Sequence, residues 1–204
     1  MKTVIHADSL KWLSKTNNTY SFVTGIPDMD EVNLPLDEYI KFYEKTAKLI
    51  FSRLDKEKGY AIFIQTDRKI NRSWFDKSYH LTKVAFECGL RLLFHKIVLD
   101  RGVGKINLHR PTYKHLVCYC WNPQLGPGAA STDVLDVSSK IYSNSTPLLA
   151  AQYAVGFMKK NAPDLILCDP FCGRGTIINC ARDIGLQSIG IDIDPKQVQI
   201  SQNN

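Results

Sequence analysis

A glycine-bearing turn between an apolar run and a helical pattern constrains this chain more than any other feature. Residues 165–169 (Leu-Ile-Leu-Cys-Asp) read as a buried strand, Asp169-Pro170-Phe171-Cys172-Gly173-Arg174-Gly175-Thr176 follows, and residues 176–184 carry helical spacing. Gly173 and Gly175 let the backbone turn tightly and pass close to a ligand, which a Cβ would obstruct. The N-terminus of the helix adds N–H groups without intrahelical partners, facing the same crevice. The next apolar run, Ser188-Ile189-Gly190-Ile191-Asp192, ends on a carboxylate that can accept both hydroxyls of a ribose. A lone Gly-x-Gly says little. Strand, turn, helix, strand and terminal aspartate in succession predict a nucleoside-bearing cofactor. The third glycine of the nicotinamide fingerprint is missing at its usual offset, which disfavours that cofactor.

The remaining pattern supplies the frame. Residues 3–7, 20–24, 60–65, 90–99 and 113–121 read as further strands, making seven in all. Residues 36–54 carry apolar positions at helical spacing, including Tyr39, Ile40, Tyr43, Ala47 and Ile50. Ser73 is placed to cap a helix running to Cys88, with Gly89 as its stop. Strands separated by helices predict an α/β fold with a mostly parallel seven-stranded sheet. The Gly-, Pro- and Ser-rich stretch 122–140 reads as a linker between residues 1–121 and 141–204 of a single domain.

Composition excludes several classes. No apolar run approaches the length of a membrane span, and the N-terminus has no apolar core of a signal peptide, so no membrane association is expected. None of the six cysteines forms a CxxC pair, so reduced, mostly buried thiols in an intracellular, cytoplasmic protein are expected, with no metal site. The net charge of +6 permits a polyanionic partner without demonstrating one.

The motifs then point to a family. DPFCGRGT resembles motif I of the amino-methyltransferases that modify bases in DNA and RNA, and GIDID resembles their ribose-binding motif. Tyr142-Ser143-Asn144-Ser145-Thr146-Pro147-Leu148-Leu149 resembles the segment that precedes motif I in the circularly permuted members. The resemblance covers nearly the whole chain. It implies a circularly permuted, Rossmann-like methyltransferase fold using S-adenosylmethionine (SAM). It places Asp169, Phe171, Gly173, Gly175, Thr176 and Asp192 at the cofactor, and Thr146 near its methionine part. The strand 3–7 would close the sheet, putting Asp8 where the family contacts adenine, although a plain helix N-cap accounts for Asp8 equally well.

The reactive motif departs from the family pattern. Where the family carries Asp, Asn or Ser, then Pro-Pro and an aromatic residue, this chain has Gly25-Ile26-Pro27-Asp28. Gly25, Pro27 and Asp28 are the candidate catalytic positions, with Asp28 expected to face the methyl group and orient or deprotonate the acceptor. A solvated acidic turn, Asp28-Met29-Asp30-Glu31, is the competing reading. Two basic and aromatic clusters are candidate nucleic-acid contacts: Arg68, Lys69, Arg72, Trp74 and Lys77, then Lys105, His109 and Arg110. Solvated loops with a core-packed Trp are the alternative, and His95 and His115 read as structural histidines. The shortness of residues 99–113 and 122–139 favours RNA, tRNA among its candidates, over DNA, or a substrate presented by a partner subunit. A methyltransferase-like RNA-binding subunit without turnover, and a methyltransferase acting on protein or a small molecule, are the rival functions.

Overall fold

The structure, a computed structural model, describes residues 2–70, 72–108, 110–123, 131–137, 139 and 145–203. In chain order the elements are β1 (Lys2–His6), α1 (Ser9–Lys15), β2 (Ser21–Thr24), α2 (Met29–Val32), α3 (Leu36–Ser52), β3 (Tyr60–Gln65), β4 (Arg68–Ile70), β5 (Ser73–Phe75), α4 (Lys77–Glu87), β6 (Arg91–Leu99), β7 (Tyr113–Cys120), β8 (Val134–Leu135), α5 (Leu148–Asn161), β9 (Leu167–Asp169), α6 (Thr176–Asp183), β10 (Ser188–Asp192) and α7 (Pro195–Asn203).

One sheet runs in the order β1-β10-β9-β2-β3-β7-β6-β8. Pairing is parallel from β1 through β3 and between β6 and β8, while β7 runs antiparallel to both β3 and β6. The first strand of the chain closes the sheet beside the last: β1 pairs with β10 from Lys2 opposite Ser188 to His6 opposite Asp192. A strand near the C-terminus, β9, therefore sits at the middle of the sheet.

Strand β3 shows why the runs are apolar without alternation. Tyr60, Ile62 and Ile64 face one core with Ala150, Ala154, Ile177 and Ile178 of α5 and α6. Ala61 and Phe63 face the other, with Tyr39, Tyr43, Phe51 and Leu81 of α3 and α4. A parallel strand covered on both faces has no solvent side to mark with polar residues. Burying each large apolar side chain contributes roughly 1.5–3 kcal/mol, and the stripe of Tyr39, Tyr43, Ile50 and Phe51 on α3 repeats this along one helical face.

Three expectations are corrected. The sheet has eight strands, not seven: Val134 and Leu135, inside the stretch read as linker, pair with Ile97 and Val98. Two residues carry no periodicity of their own. The segment is held by Lys96, whose Nζ donates to Thr132 O at 2.8 Å and to Asp133 Oδ1 at 3.0 Å, and by Ile97 N–H on Asp133 O. Ser73 does not cap α4 but opens β5, and Asp76 caps the helix by accepting from Tyr79 N–H at 2.8 Å. The cluster read as a loop is a hairpin, β4 with β5, whose turn includes Arg72 at φ 63°.

Candidate active site

Strands β10 and β1 lie on one side of β9, and β2 and β3 on the other, all parallel, so their carboxyl ends share one edge. The order reverses between β9 and β2, the place where open sheets leave a crevice for ligands. The turn after β9, Asp192, Asp8 and residues 25–28 all sit on that edge, joined from beside β3 by Asp67 and Arg68.

The cofactor side is built around backbone. Gly173 and Gly175 hold φ of 50° and 84°, in the region where L side chains are strained. Asp192 Oδ2 accepts from Gly173 N–H at 2.8 Å and Oδ1 from Asp194 N–H at 2.9 Å, so its carboxylate is aimed by two fixed donors and keeps lone pairs for a ligand. Ala7 N–H donates to Asp192 O at 3.0 Å, and Ser9 Oγ donates to the Pro170 carbonyl, which bring the end of β1 beside the turn. Asp8 does cap α1, accepting from Leu10 and Lys11 N–H, one residue after the Ala7 N–H that bonds Asp192 O. Phe171 is half-buried against the α3 side of the core, and Thr176 is buried as the first residue of α6. Thr146 lies half-buried just before α5; residues 142–144 of the same motif fall outside the described residues. A glycine cradle, a positioned carboxylate at a strand end and the acid that follows the neighbouring strand match the donor set a nucleoside cofactor needs.

Asp169 joins the two halves. Its Oδ1 accepts from Thr24 Oγ1 at 2.7 Å and from Phe171 N–H at 3.2 Å, linking the strand before the glycine turn to the strand before Gly25. Burial pushes its carboxyl up to about 7, against the lowering effect of the Thr24 and Phe171 hydrogen bonds. The folded chain therefore holds a proton that the unfolded chain releases near pH 4. Stability from this group is greatest at low pH, declines as pH rises towards about 7, and is level above it, a change on the order of 4 kcal/mol. Denaturant unfolding of the ligand-free chain between pH 5 and pH 8 is expected to show that decline relative to Asp169→Asn. Parallel curves for the two proteins would remove the proton from Asp169.

The reactive segment looks different from the sequence expectation. A Cβ on Gly25 would approach Ile64 O to 3.1 Å, so this first position is tight as well as apolar. Pro27 O accepts from Tyr39 Oη at 2.9 Å. Asp28 is the N-cap of α2 in a capping box with Glu31. Its Oδ1 accepts from Lys77 Nζ at 3.0 Å and its Oδ2 from Arg68 at 2.9 Å, with Arg110 at 3.2 Å. Burial alone would raise the Asp28 carboxyl, but Lys77, Met29 N–H and Arg68 together hold it below the ordinary carboxylate range. A carboxylate so paired is a poor base. In this structure Asp28 therefore stands paired, linking α2, the hairpin, α4 and Arg110. The alternative of a solvated acidic turn fits Asp30, which is exposed, but not Asp28.

The substrate-side candidates divide. Lys77 is buried, held by Asp28 and lying over the Tyr39 ring at 5.6 Å, and is not available to a phosphate. Burial lowers its ammonium pKa while Asp28 opposes that, so the pair stands as an ion pair inside the fold. Arg68 is committed to Asp28 and Asp30. Arg110 keeps an exposed guanidinium beside the same acids. Lys69 lies over the exposed Trp74 ring at 5.3 Å and donates to Asn107 O at 3.0 Å, joining hairpin and loop. Arg72 and Lys105 are exposed, and His109 falls outside the described residues. Sequence reading missed Thr24, Tyr39 and Asp67. Asp67 accepts from Trp74 Nε1 at 3.0 Å and shares a 2.9 Å hydrogen bond with His115, which meets His95 at 2.7 Å. Both histidines are thus satisfied structural groups, and no local pattern announces their partners.

A profile of the DNA methylase family N6_N4_Mtase matches residues 12–203. The chain belongs to this DNA methylase family. It is a SAM-dependent methyltransferase acting on nucleobases, with the Rossmann-like fold that its motifs implied. Among curated proteins none matches. Solved structures share the fold at low identity. TTHA0409 from Thermus thermophilus, provisionally described as a DNA modification methylase, was solved with SAM; it superposes with a TM-score of 0.78 at 14% identity, over 100% of this chain and 92% of its own. The cytosine-N4-specific PvuII DNA methyltransferase gives 0.78 at 15%, over 99% and 86%. The M1.HpyAVI complex with SAM gives 0.68 at 16%, over 100% and 99%. No metal-binding group of His, Cys, Asp or Glu occurs among the described residues, and no helix there is long and apolar enough to cross a membrane.

Proposed function

We propose that this methyltransferase acts on a nucleobase of DNA or RNA that has left its stack, with the glycine turn, Asp192, Asp8 and Asp169 on the cofactor and residues 25–28 at the acceptor. The observation that carries the reading is the convergence on one sheet edge of the glycine turn, the positioned Asp192 and the proline-bearing segment after β2. When bound, SAM supplies a methyl group activated on a sulfonium. The chain's own contribution is to hold and orient the partners and to exclude water, effects that can account for most of such an acceleration. Asp28 acts by positioning: it keeps the segment after β2 in register with the hairpin and the loop 100–112.

Short segments at residues 99–113 and 122–139 are the argument for RNA. This chain spans 86% of the PvuII DNA methyltransferase and 92% of TTHA0409, so shortness does not separate the two substrates. The family description favours DNA. The replacement of the aromatic position by Asp28 bears on which atom accepts the methyl group.

The test is SAM titration calorimetry on wild type and Asp192→Ala, with tritiated-methyl transfer to total DNA and total RNA. Loss of a charged acceptor with two donors and a ribose to serve is expected to weaken SAM binding about 100-fold or more. Labelled DNA or RNA supports the reading and names the substrate. SAM binding without label on either would point to a subunit that needs a partner. Equal affinity in the variant would remove Asp192 from the site.

A further inference from the structure

The β6 to β7 connection projects from the same edge as the site. β3 ends at Gln65 opposite His115, and two residues earlier on β7 Tyr113 pairs with Leu99, so residues 100–108 and 110–112 extend beyond the carboxyl end of β3. The base of the loop is pinned by Asp100 and Arg101 N–H on Thr112 O, and its tip turns through Lys105 N–H on Gly102 O. Arg110 sits 3.2 Å from Asp28 and Lys69 reaches Asn107 O, so the loop is moored to the reactive segment and to the hairpin bearing Trp74.

Its tip carries Val103, Ile106 and Leu108 at 90%, 79% and 80% exposure. Three large apolar side chains so exposed in one short loop mark a candidate contact surface. Arg101, Lys105 and Arg110 alternate with them, and Asp100 at the base is the loop's one acidic residue. Apolar tips between cations match a stacked polyanion: the side chains can enter a base step while the cations meet flanking phosphates.

We propose that Val103, Ile106 and Leu108 form an insertion wedge that enters duplex DNA beside the extruded acceptor base and occupies the space it leaves. This rests on the nucleobase reading above and adds to it the element that opens the stack. A base that is missing lowers the unstacking cost, so a chain with such a wedge favours a duplex containing an abasic site.

The experiment uses the full chain saturated with SAM and a 20-base-pair DNA duplex, intact or with one abasic site, titrated by fluorescence anisotropy at several salt concentrations. Wild type is expected to bind the abasic duplex about 10-fold tighter than the intact one. The V103S/I106S/L108S variant is expected to lose that preference to within about 2-fold while keeping its salt dependence and its thermal midpoint. R101A/K105A is expected to flatten the salt dependence and retain the preference. Retention of the preference in the triple variant, an effect confined to duplex RNA, or a wild-type dimer that the triple variant converts to monomer would each overturn the proposal. The transfer assay separates the two levels. Wild type that labels DNA with an unaffected triple variant sinks the wedge alone, whereas wild type that binds SAM and labels no nucleic acid sinks the functional reading and the wedge with it.

Discussion

Alanine at position 175 is expected to abolish SAM binding and to cost the fold about 2–5 kcal/mol. Gly175 stands at φ 84°, and an added Cβ would overlap Oγ of Ser201, a fully buried residue of α7. Two separate penalties act there. The left-handed backbone costs an L residue roughly 1–2 kcal/mol, and forcing atoms into a filled core costs typically 1–3 kcal/mol. Gly175 also accepts from Asn179 N–H at 2.8 Å and donates to Cys172 O at 2.8 Å, so relief by moving it displaces the start of α6 and the turn together. The double variant Gly175→Ala with Ser201→Gly removes the overlap and leaves the backbone strain. Partial recovery of the thermal midpoint, with weak SAM binding by calorimetry, is the expected outcome. Wild-type affinity in Gly175→Ala would show that the turn is not a cradle.

Asp28→Asn is expected to destabilise the chain by about 3–5 kcal/mol and to leave SAM affinity within about 2-fold of wild type. The carboxylate is the shared partner of Lys77, Arg68 and Arg110, and Lys77 and Asp28 side chains are only 3% and 13% exposed. Removing one member of a buried pair strands the other, and stranded Lys77 must ionise in a poor environment or lose its proton. Asp28→Asn with Lys77→Met removes both partners and is expected to regain most of the stability, because a well-packed apolar replacement leaves no stranded charge. Methyl transfer in the double variant then reports the role of Asp28 directly. A positioning residue lowers transfer through the lost tie to the hairpin and the loop 100–112, with no change in the pH profile. Loss of a base would instead remove the acid-side fall of the rate. Unchanged stability in Asp28→Asn would mean that the cluster is an exposed, screened arrangement.

The two substitutions divide what was legible in the sequence. Local chemistry announced the glycine turn and the strand after it: DPFCGRGT between a strand and a helix needs positive φ at its glycines, and GIDID ends a strand on an acid. These are demands of backbone sterics on adjacent residues, and they hold wherever the segment lies. The buried strands were equally plain, because a strand covered on both faces is apolar throughout. The reactive half was not legible in the same way. Asp28 reads alike as a base, a cap or a solvated acid until Arg68, Lys77 and Arg110 arrive from three other elements and decide its charge environment. Val134 and Leu135 became a strand only because Lys96 and Ile97 gather the preceding residues. Asp67 gained His115 and Trp74 only when β3 and β7 paired. The sequence by itself determined the family resemblance, the glycine turn and the buried strands, since backbone conformation and apolar periodicity are short-range properties. Only the tertiary structure decided which side chains at the reactive edge are paired, buried or free to meet a substrate, because desolvation and ion pairing depend on neighbours brought from distant parts of the chain.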